Sequence, residues 1–194
     1  MAIVPLFVCT VVNNDRMIGD KNDSIIASSE ISNNQTVVND STVSLKDSIR
    51  LQLVDEVTAY VNNKFPTAST EIPTLLVDYG LNNNIDIVFM MAQTEIETGF
   101  GTVGIGRHKS RKSLFGIYKT YQSYEECVQH YVATLFKHYL TRGRTTDDLM
   151  KKYVTTGGLR YAEAESYEVK ISSTHRAINK KTNVKTLQSA YNEI

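Results

Sequence analysis

The hydrophobic positions in the middle of the chain recur at helical spacing. The apolar residues that follow one another at intervals of three or four are Ile85, Val88, Phe89, Ala92 and Ile96. This spacing is typical of a helix with one buried face. Asn84 or Asp86 can cap its start, and Gly99 can adopt the left-handed conformation that ends it. The pattern therefore predicts a helix that stops at Gly99.

Similar patterns predict helices on both sides of this one. One helix ends before Pro66, and a shorter helix has Pro73 in its first turn and stops at Gly80. Another begins after Ser123, because Ser123 and Glu126 have the spacing of a capping box. An unbroken apolar stripe follows, made of Tyr124, Cys127, Val128, Tyr131, Val132, Leu135, Phe136 and Tyr139. Cys127 is thus expected to be a packed thiol.

The C-terminal part continues the helical pattern. Thr145 or Thr146 can cap a helix with acidic residues in its first turn. A further helix is predicted over residues 166–178 with Tyr167, Ile171 and Ile178 facing inward, and the last twelve residues have amphipathic helical spacing. We therefore predict a mainly α fold.

The first 44 residues have a different composition. An apolar run at residues 3–12 is too short to span a bilayer as a helix, and no basic residue precedes it as an export signal would require. Residues 13–44 are rich in Asn, Asp, Ser and Thr, a composition that buries too little apolar surface to offset ordering. We expect residues 1–44 to be an apolar segment with a disordered linker, and residues 45–194 to be the folded domain.

Composition and charge limit the classes of function that fit this chain. A hydrophobic content of 41% is ordinary for a globular protein, and 21 basic residues balance 21 acidic ones. Balanced charge argues against a nucleic-acid-binding protein, which usually has a net basic face. Four scattered histidines and two distant cysteines have no metal-ligand spacing, so we expect neither a metal nor another cofactor.

Two acidic residues lie in the last turn before Gly99. A carboxyl group there feels the negative end of the helix dipole and lies beside Phe100, and both effects favour its protonated form. A glutamic acid that keeps its proton can donate it to a leaving-group oxygen. Periodicity does not choose between Glu95 and Glu97, which fall on opposite flanks of the apolar stripe.

Four short motifs in order resemble one enzyme family. Residues 97–101, Glu-Thr-Gly-Phe-Gly, resemble the Glu-Ser-Gly-Trp-Gly motif of the glucosaminidases of glycoside hydrolase family 73. Residues 113–117, Ser-Leu-Phe-Gly-Ile, are similar to its Asn-Leu-Phe-Gly-Ile motif. Residues 121–126 resemble its Tyr-x-Ser-Tyr-x-Glu motif, and Tyr161-Ala162 followed by Tyr167 resembles its Tyr-Ala-x-x-x-x-Tyr stretch. The resemblance covers about residues 75–178.

The resemblance implies a lysozyme-like helical domain with a short or reduced β-lobe. It implies an endo-acting peptidoglycan hydrolase that cuts the β-1,4 bond after N-acetylglucosamine, with Glu97 as general acid and Tyr161 as a second catalytic residue in the cleft. Glu95 is then a solvent-facing residue or a supporting partner. Because sugar rings stack on aromatic faces, we expect Phe100, Phe115 and Tyr118 to bind substrate together with Glu163, and Phe115 is the one we most expect to be structural instead.

The chain departs from this family after the Phe-Gly-Ile motif. Many relatives have a longer lobe there that supplies a second acidic residue, whereas this chain has no carboxylate between Glu97 and Glu125. Most glycosidases use two carboxylates, although substrate-assisted enzymes are exceptions. Glu163, Glu165 or the acetamido group of the substrate can fill the role. A basic stretch at residues 106–112 can meet anionic cell-wall groups, or it can be a solvated loop.

The expected partner is therefore a peptidoglycan glycan strand. We expect the protein to be a monomer that acts outside the cytoplasm or as part of a phage particle. A muramidase or lytic transglycosylase of the same fold is the alternative enzyme. The alternative from another class is a cell-wall-binding or virion structural protein that has no catalytic activity.

Overall fold

The computed structural model describes residues 34–151 and 166–194, which form helices and connecting turns without a β-strand. The mainly α fold class is confirmed for this part of the chain. Its α-helices are α1 (Asn34–Lys64), α2 (Ile72–Asn82), α3 (Ile87–Thr98), α4 (Tyr124–Thr134), α5 (Thr146–Met150), α6 (Tyr167–Asn179) and α7 (Val184–Glu193). A 3₁₀ helix covers Gly104–Arg107, and a π-helix covers Leu135–Tyr139. None of the described helices combines the length and hydropathy that a membrane span needs.

Helix α1 begins earlier than the predicted domain boundary. It starts at Asn34, inside the segment predicted to be a disordered linker, and that prediction is wrong for residues 34–44. Its buried side chains include Leu53, Val57 and Val61, as the apolar spacing predicts, together with Ile49 and Tyr60. It ends at Lys64, before Pro66. The apolar run at residues 3–12 lies outside the described residues.

Helix α2 does not stop at Gly80, and that prediction is wrong. The helix continues to Asn82, and Gly80 is buried against the start of α3. A Cβ atom on Gly80 would lie 2.5 Å from Ile87 Cγ1 and 3.3 Å from the Ile85 carbonyl oxygen. Gly80 therefore allows α2 and α3 to approach closely, and it does not act as a helix terminator.

Helix α3 is the central element of the described core. It packs against α2, α6 and α7, and every residue from Ile87 to Thr94 is buried. Asp86 caps its start by accepting a hydrogen bond of 3.1 Å from the Phe89 amide. The buried Gln188 of α7 accepts from the Ile87 amide at 3.0 Å and donates to the Ile85 carbonyl at 2.7 Å. The start of α3 is thus held by its own cap and by a side chain of α7.

Helix α4 begins as predicted and then widens. Ser123 accepts a 3.0 Å hydrogen bond from the Glu126 amide, so the predicted cap is confirmed. The apolar stripe is not unbroken, because Phe136 is 44% exposed. At Leu135 the helix changes to π geometry, in which the Leu140 amide donates to the Leu135 carbonyl at 2.8 Å. Phe136 is the second residue of this wider turn and lies on its exposed side.

The sulfur of Cys127 is part of the core. The Leu114 amide donates to its Sγ atom at 3.4 Å, and burial raises the pKa of the thiol to about 11. The predicted packed thiol is therefore confirmed.

Helix α6 packs along α3 and carries the inward residues predicted for it. Tyr167, Ile171 and Ile178 are all buried. His175 Nε2 also meets the Asp86 carboxylate at 2.9 Å, which ties α6 to the start of α3. Because α3 and α6 lie side by side, groups far apart in sequence meet at the end of α3.

Candidate functional site

The site is formed where α3 ends. Gly99 has φ 51° and ψ 52°, the left-handed conformation predicted for it, and its amide donates to the Glu95 carbonyl at 3.1 Å. Phe100 and Gly101 also have positive φ, 54° and 80°. The chain therefore turns away sharply and leaves Glu97 in the last turn of the helix.

Thr98 joins the first two sequence motifs. Its hydroxyl donates to the Leu114 carbonyl at 2.7 Å and accepts from the Gly101 amide at 3.1 Å. The turn that follows Leu114 is closed by Ser113, whose hydroxyl donates to the Ile117 carbonyl at 2.9 Å. These bonds hold residues 113–117 against the end of α3.

Gly116 lies directly against the Glu97 carboxyl group. It has φ 70°, a conformation that favours glycine. A Cβ atom on Gly116 would overlap Glu97 Oε2 and would lie 3.0 Å from Glu97 Cδ. The glycine therefore serves two purposes, since it permits the turn and leaves room for the carboxyl group.

The surroundings of Glu97 shift its acidity in opposing directions. Burial raises the pKa of this half-buried carboxyl group, whereas a hydrogen bond with Tyr167 and the positive charge of Lys170 lower it. Burial is the largest effect, so the pKa lies above the usual value for glutamate. A raised pKa lets this group keep its proton to a higher pH than a free glutamic acid does, and a retained proton can be donated to a substrate.

Glu95 lies on the other flank of α3 and is bound to α1. The Tyr60 hydroxyl donates to Glu95 Oε2 at 2.7 Å, and Lys64 forms an ion pair with Oε1. The Glu95 side chain is only 14% exposed. Burial and this carboxylate together raise the pKa of Tyr60. Glu95 is thus a paired residue that joins two helices.

Two of the aromatic residues predicted to bind sugar are core residues. Phe100 is fully buried between Phe65 and Tyr60, at ring-centroid distances of 5.2 and 6.5 Å. Phe115 is buried and stacks on Tyr131, with ring centroids 3.7 Å apart. Neither ring has a free face for a sugar, so the substrate-binding prediction is wrong for both. Their apolar faces are used in packing at the base of the site.

The other predicted site residues divide into two groups. Tyr118 is 56% exposed, so its ring is accessible to a ligand. Tyr161, Glu163 and Glu165 lie outside the described residues, and their predicted roles stay predictions. The basic stretch is exposed at residues 107–111, which fits either of its two interpretations.

The structure adds two residues that sequence reasoning did not assign to the site. Tyr167, which was predicted to face inward and closes the fourth motif, interacts with the Glu97 carboxyl group. Gln93 is buried one helical turn before Glu97 and accepts a hydrogen bond from the Tyr131 hydroxyl. The sequence offered one sign of Gln93: it is a polar residue four positions before Glu97, on a helix face that is otherwise buried.

Among the described residues, no three His, Cys, Asp or Glu side chains are grouped to hold a metal ion. Two of the described histidines have other contacts: His130 Nδ1 lies 2.8 Å from the Tyr121 hydroxyl oxygen, and His175 Nε2 lies 2.9 Å from Asp86 Oδ2.

The fold and site define a mainly helical protein with a half-buried acid at a helix terminus. Comparisons of this chain with protein-family models, with curated proteins and with solved structures found no match.

Proposed function

We propose that this protein is a peptidoglycan hydrolase, an endo-β-N-acetylglucosaminidase in which Glu97 is the general acid. The observation that supports this most directly is the position of Glu97, half-buried against Gly116 with a raised pKa. The motif resemblance supplies the substrate class. The partner is a glycan strand. The enzyme is a monomer that acts outside the cytoplasm or from a phage particle.

In the proposed reaction, protonated Glu97 donates its proton to the glycosidic oxygen while the bond from that oxygen to the sugar C1 breaks. The Glu97 carboxylate that remains is stabilised by Tyr167 and Lys170, because both lower its pKa. Burial favours the acid before the step and these two groups favour the carboxylate after it. The opposing effects are suited to a group that must both hold and release a proton.

A second group must stabilise the positive charge that develops at C1. Glu163 and Glu165 are one possibility, since they flank the predicted cleft residue Tyr161 in the sequence. The acetamido oxygen of the substrate is the other, as in substrate-assisted glycosidases. Both possibilities are compatible with the lack of a carboxylate between Glu97 and Glu125.

Product analysis of purified sacculi tests the proposal. Wild-type protein and the Glu97→Gln variant are incubated with sacculi, and the soluble fragments are identified by mass spectrometry. We expect reducing-end N-acetylglucosamine from the wild type only. Absence of fragments, or equal release by the variant, would contradict the role of Glu97.

The same experiment separates the alternative enzymes. A muramidase or lytic transglycosylase of the same fold is the second candidate, because either would also use one glutamic acid at this helix end. The lack of a second carboxylate in this region favours the transglycosylase, which does not need to activate water. Reducing-end muramic acid would identify a muramidase, and anhydro-muramic acid a transglycosylase. Binding to sacculi without any cleavage would instead support a cell-wall-binding or virion structural protein.

A further inference from the structure

Residues 107–112 form a basic turn that follows the end of α3. Its lysines and arginines are Arg107, Lys109, Arg111 and Lys112. The sequence has no acidic residue between Glu97 and Glu125 to balance them. Because the chain as a whole has no net charge, this positive charge is a local feature of one turn.

The backbone of the basic turn is fixed at both ends. Just before it, Gly106 is buried, and a Cβ atom there would lie 2.7 Å from Thr98 Cβ. Within it, the Arg111 amide donates to the His108 carbonyl at 2.7 Å. The Arg111 carbonyl in turn accepts from the Tyr121 amide at 3.0 Å. The turn is therefore held in one place against the end of α3, and its side chains share a fixed base.

The charged side chains of the turn have no carboxylate partner. Arg107, Lys109 and Arg111 are exposed and form no ion pair with another described residue. Lys112 is half-buried, and its ammonium group lies 4.8 Å from the centroid of the Tyr124 ring. A cation over a ring face keeps its full charge. Four positive charges thus stand together without a counter-charge in the part of the chain that the structure describes.

This crowding makes the turn a surface for anions. Positive charges that lie closer than about 8 Å repel one another at physiological ionic strength, and four of them occur here within six consecutive residues. A bound anion would relieve that repulsion. The forked donors of Arg107 and Arg111 also match the paired oxygens of a phosphate or carboxylate group.

The exposure of the turn favours a polymer over a single small anion. An exposed contact with one anion is weak, because water screens it. A flexible chain with a phosphate at each repeat can meet several of the charges at once, and the release of its counterions adds to its affinity. Wall-peptide carboxylates are separated by sugars and match a close run of charges less well.

The charge of the rest of the chain argues against nucleic acid as the polymer. All 21 acidic residues lie outside residues 98–124, whereas five of the 21 basic residues lie inside this range. The remainder of the chain is therefore net negative. A rigid duplex that reached past the turn would be repelled by it, whereas a flexible polymer can contact the turn alone.

We propose that the basic turn binds a flexible phosphodiester polymer of the bacterial cell wall. The contact would hold the protein on wall that carries the polymer, next to the end of α3 that bears Glu97. The source of the polymer rests on the proposed function, whereas the binding itself does not require cleavage.

Two triple variants test this inference. The turn variant combines Arg107→Gln, Lys109→Gln and Arg111→Gln. The control removes the same charge from exposed residues and combines Lys180→Gln, Lys181→Gln and Lys185→Gln. The charge of Lys185 acts on Asp86, so the control lies toward the start of α3 and away from Glu97. Thermal midpoints of both should stay close to that of the wild type, because the altered side chains are exposed.

The first measurement is the dissociation constant for soluble poly(glycerol phosphate) at increasing salt concentration. We expect the wild type and the control to bind, and the turn variant to bind at least about tenfold more weakly at low salt. The slope of log Kd against log salt should fall by up to about 2 in the turn variant, since each lost phosphate contact removes about 0.7. Equal binding by the three folded proteins, or none by the wild type, overturns the inference.

Competing polymers test the class of partner. Polyglutamate and duplex DNA of the same total charge should displace poly(glycerol phosphate) from the wild type less effectively than the unlabelled polymer does. Equal or better displacement by either would overturn the assignment to a flexible phosphodiester polymer.

Sacculi separate this inference from the proposed function. Binding is measured with Glu97→Gln protein, with and without the turn substitutions, on sacculi that carry phosphodiester polymers and on sacculi stripped of them by hydrofluoric acid. Turn-dependent binding to the polymer-bearing sacculi alone supports the inference. Equal turn-dependent binding to stripped sacculi assigns the turn to peptide carboxylates and overturns it. Fragment release by the wild type tests the proposed function separately, so either result can fail without the other.

Discussion

Glu95 and Glu97 are two residues apart on one helix, yet the two flanks of that helix give them opposite chemistry. On the α1 flank, Glu95 accepts a hydrogen bond from Tyr60 and forms an ion pair with Lys64. On the Gly116 flank, Glu97 is half-buried with a raised pKa. The same side chain is a helix-to-helix link in one place and a candidate acid in the other.

The difference shows that a position near the end of a helix does not by itself decide the surroundings of a carboxyl group. Both carboxyl groups lie near the negative end of the same helix dipole. Only Glu97 combines burial with a neighbouring glycine whose lack of a side chain leaves room for its carboxyl group. Variants on the two flanks of α3 test this contrast between Glu95 and Glu97.

The largest effect is expected from Glu97→Gln compared with Glu95→Gln. Loss of a general acid slows catalysis by about 10²–10⁴-fold, so the first variant should release almost no soluble fragments from sacculi. The second should keep most of its activity. Fragment release measured under identical conditions makes the comparison, and similar losses in both variants would show that the two flanks are not functionally different.

The thermal midpoint of Glu97→Gln should be nearly unchanged at neutral pH. The folded-state pKa of Glu97 is raised, so its contribution to stability is present below the unfolded-state pKa and is lost as the pH rises through the folded-state pKa. Burial of the Glu97 carboxylate costs more than its interactions with Tyr167 and Lys170 return. Replacing it with a neutral glutamine should therefore not destabilise the protein at pH 7. Calorimetry at pH 7 checks this, and a large fall in the midpoint would indicate a structural role.

The next largest effect is expected from Gly116→Ala. The new methyl group would overlap Glu97 Oε2 and displace the carboxyl group, so activity should fall by at least about tenfold, as misplacement of a catalytic group does. Gly143→Ala is a matched control, because Gly143 has φ 73° and a Cβ there meets nothing within 4 Å.

Both alanine variants impose similar backbone strain, about 1–2 kcal/mol each. The thermal midpoints should therefore fall in both proteins, while only Gly116→Ala should lose activity. An active Gly116→Ala enzyme would mean that the space beside Glu97 is not required.

A pH shift is expected from Tyr167→Phe. In the proposed reaction the acid form of Glu97 is the active one, so activity should fall as the pH rises through the pKa of Glu97. Because the hydrogen bond with Tyr167 lowers that pKa, its removal should move the alkaline limb of the pH profile to higher pH. Lys170→Met should move it in the same direction by less. A limb that moves to lower pH would contradict the assignment.

A stability effect is expected on the opposite flank. Tyr60→Phe removes a half-buried hydrogen bond to Glu95 and should lower the free energy of unfolding by about 1 kcal/mol. Lys64→Met should cost less, because the Lys64 side chain is 43% exposed and water screens its charge. Urea titrations measure both, and neither variant should change the pH profile of cell-wall hydrolysis.

The smallest effect is expected from Tyr118→Ala. The ring is exposed and makes no contact that the core requires, so stability should not change. Loss of a stacking face should raise KM for sacculi a few-fold and leave kcat unchanged. If kcat falls instead, Tyr118 acts on the transition state and not on binding alone.

Several features of the helices could be predicted from the sequence because local rules decide them. The cap at Ser123 and the end of α3 at Gly99 follow from residues within one helical turn of each boundary. The buried faces of α1 and α6 follow from spacing at three and four residues. These features depend on hydrogen bonds and contacts between residues that are close in the sequence. They therefore do not depend on how the helices pack together.

Predictions failed where a residue's role depends on a distant partner. Gly80 has the residue type of a helix terminator, but its contact with Ile87 makes it a packing position. Phe100 and Phe115 have the residue type of sugar platforms, but other rings cover both of them. Phe136 fits the apolar stripe of the sequence, but in the π turn its side chain is exposed.

The sequence by itself determined that this protein is mainly helical and that two carboxyl groups stand in the last turn of α3. The tertiary structure decided what each of them does. Tyr60 and Lys64 reach Glu95 from α1, whereas Gly116 and Tyr167 reach Glu97 from a turn and from α6. The reason is physical: helix formation is governed by neighbours along the chain, but desolvation and charge pairing are governed by groups that only folding brings together.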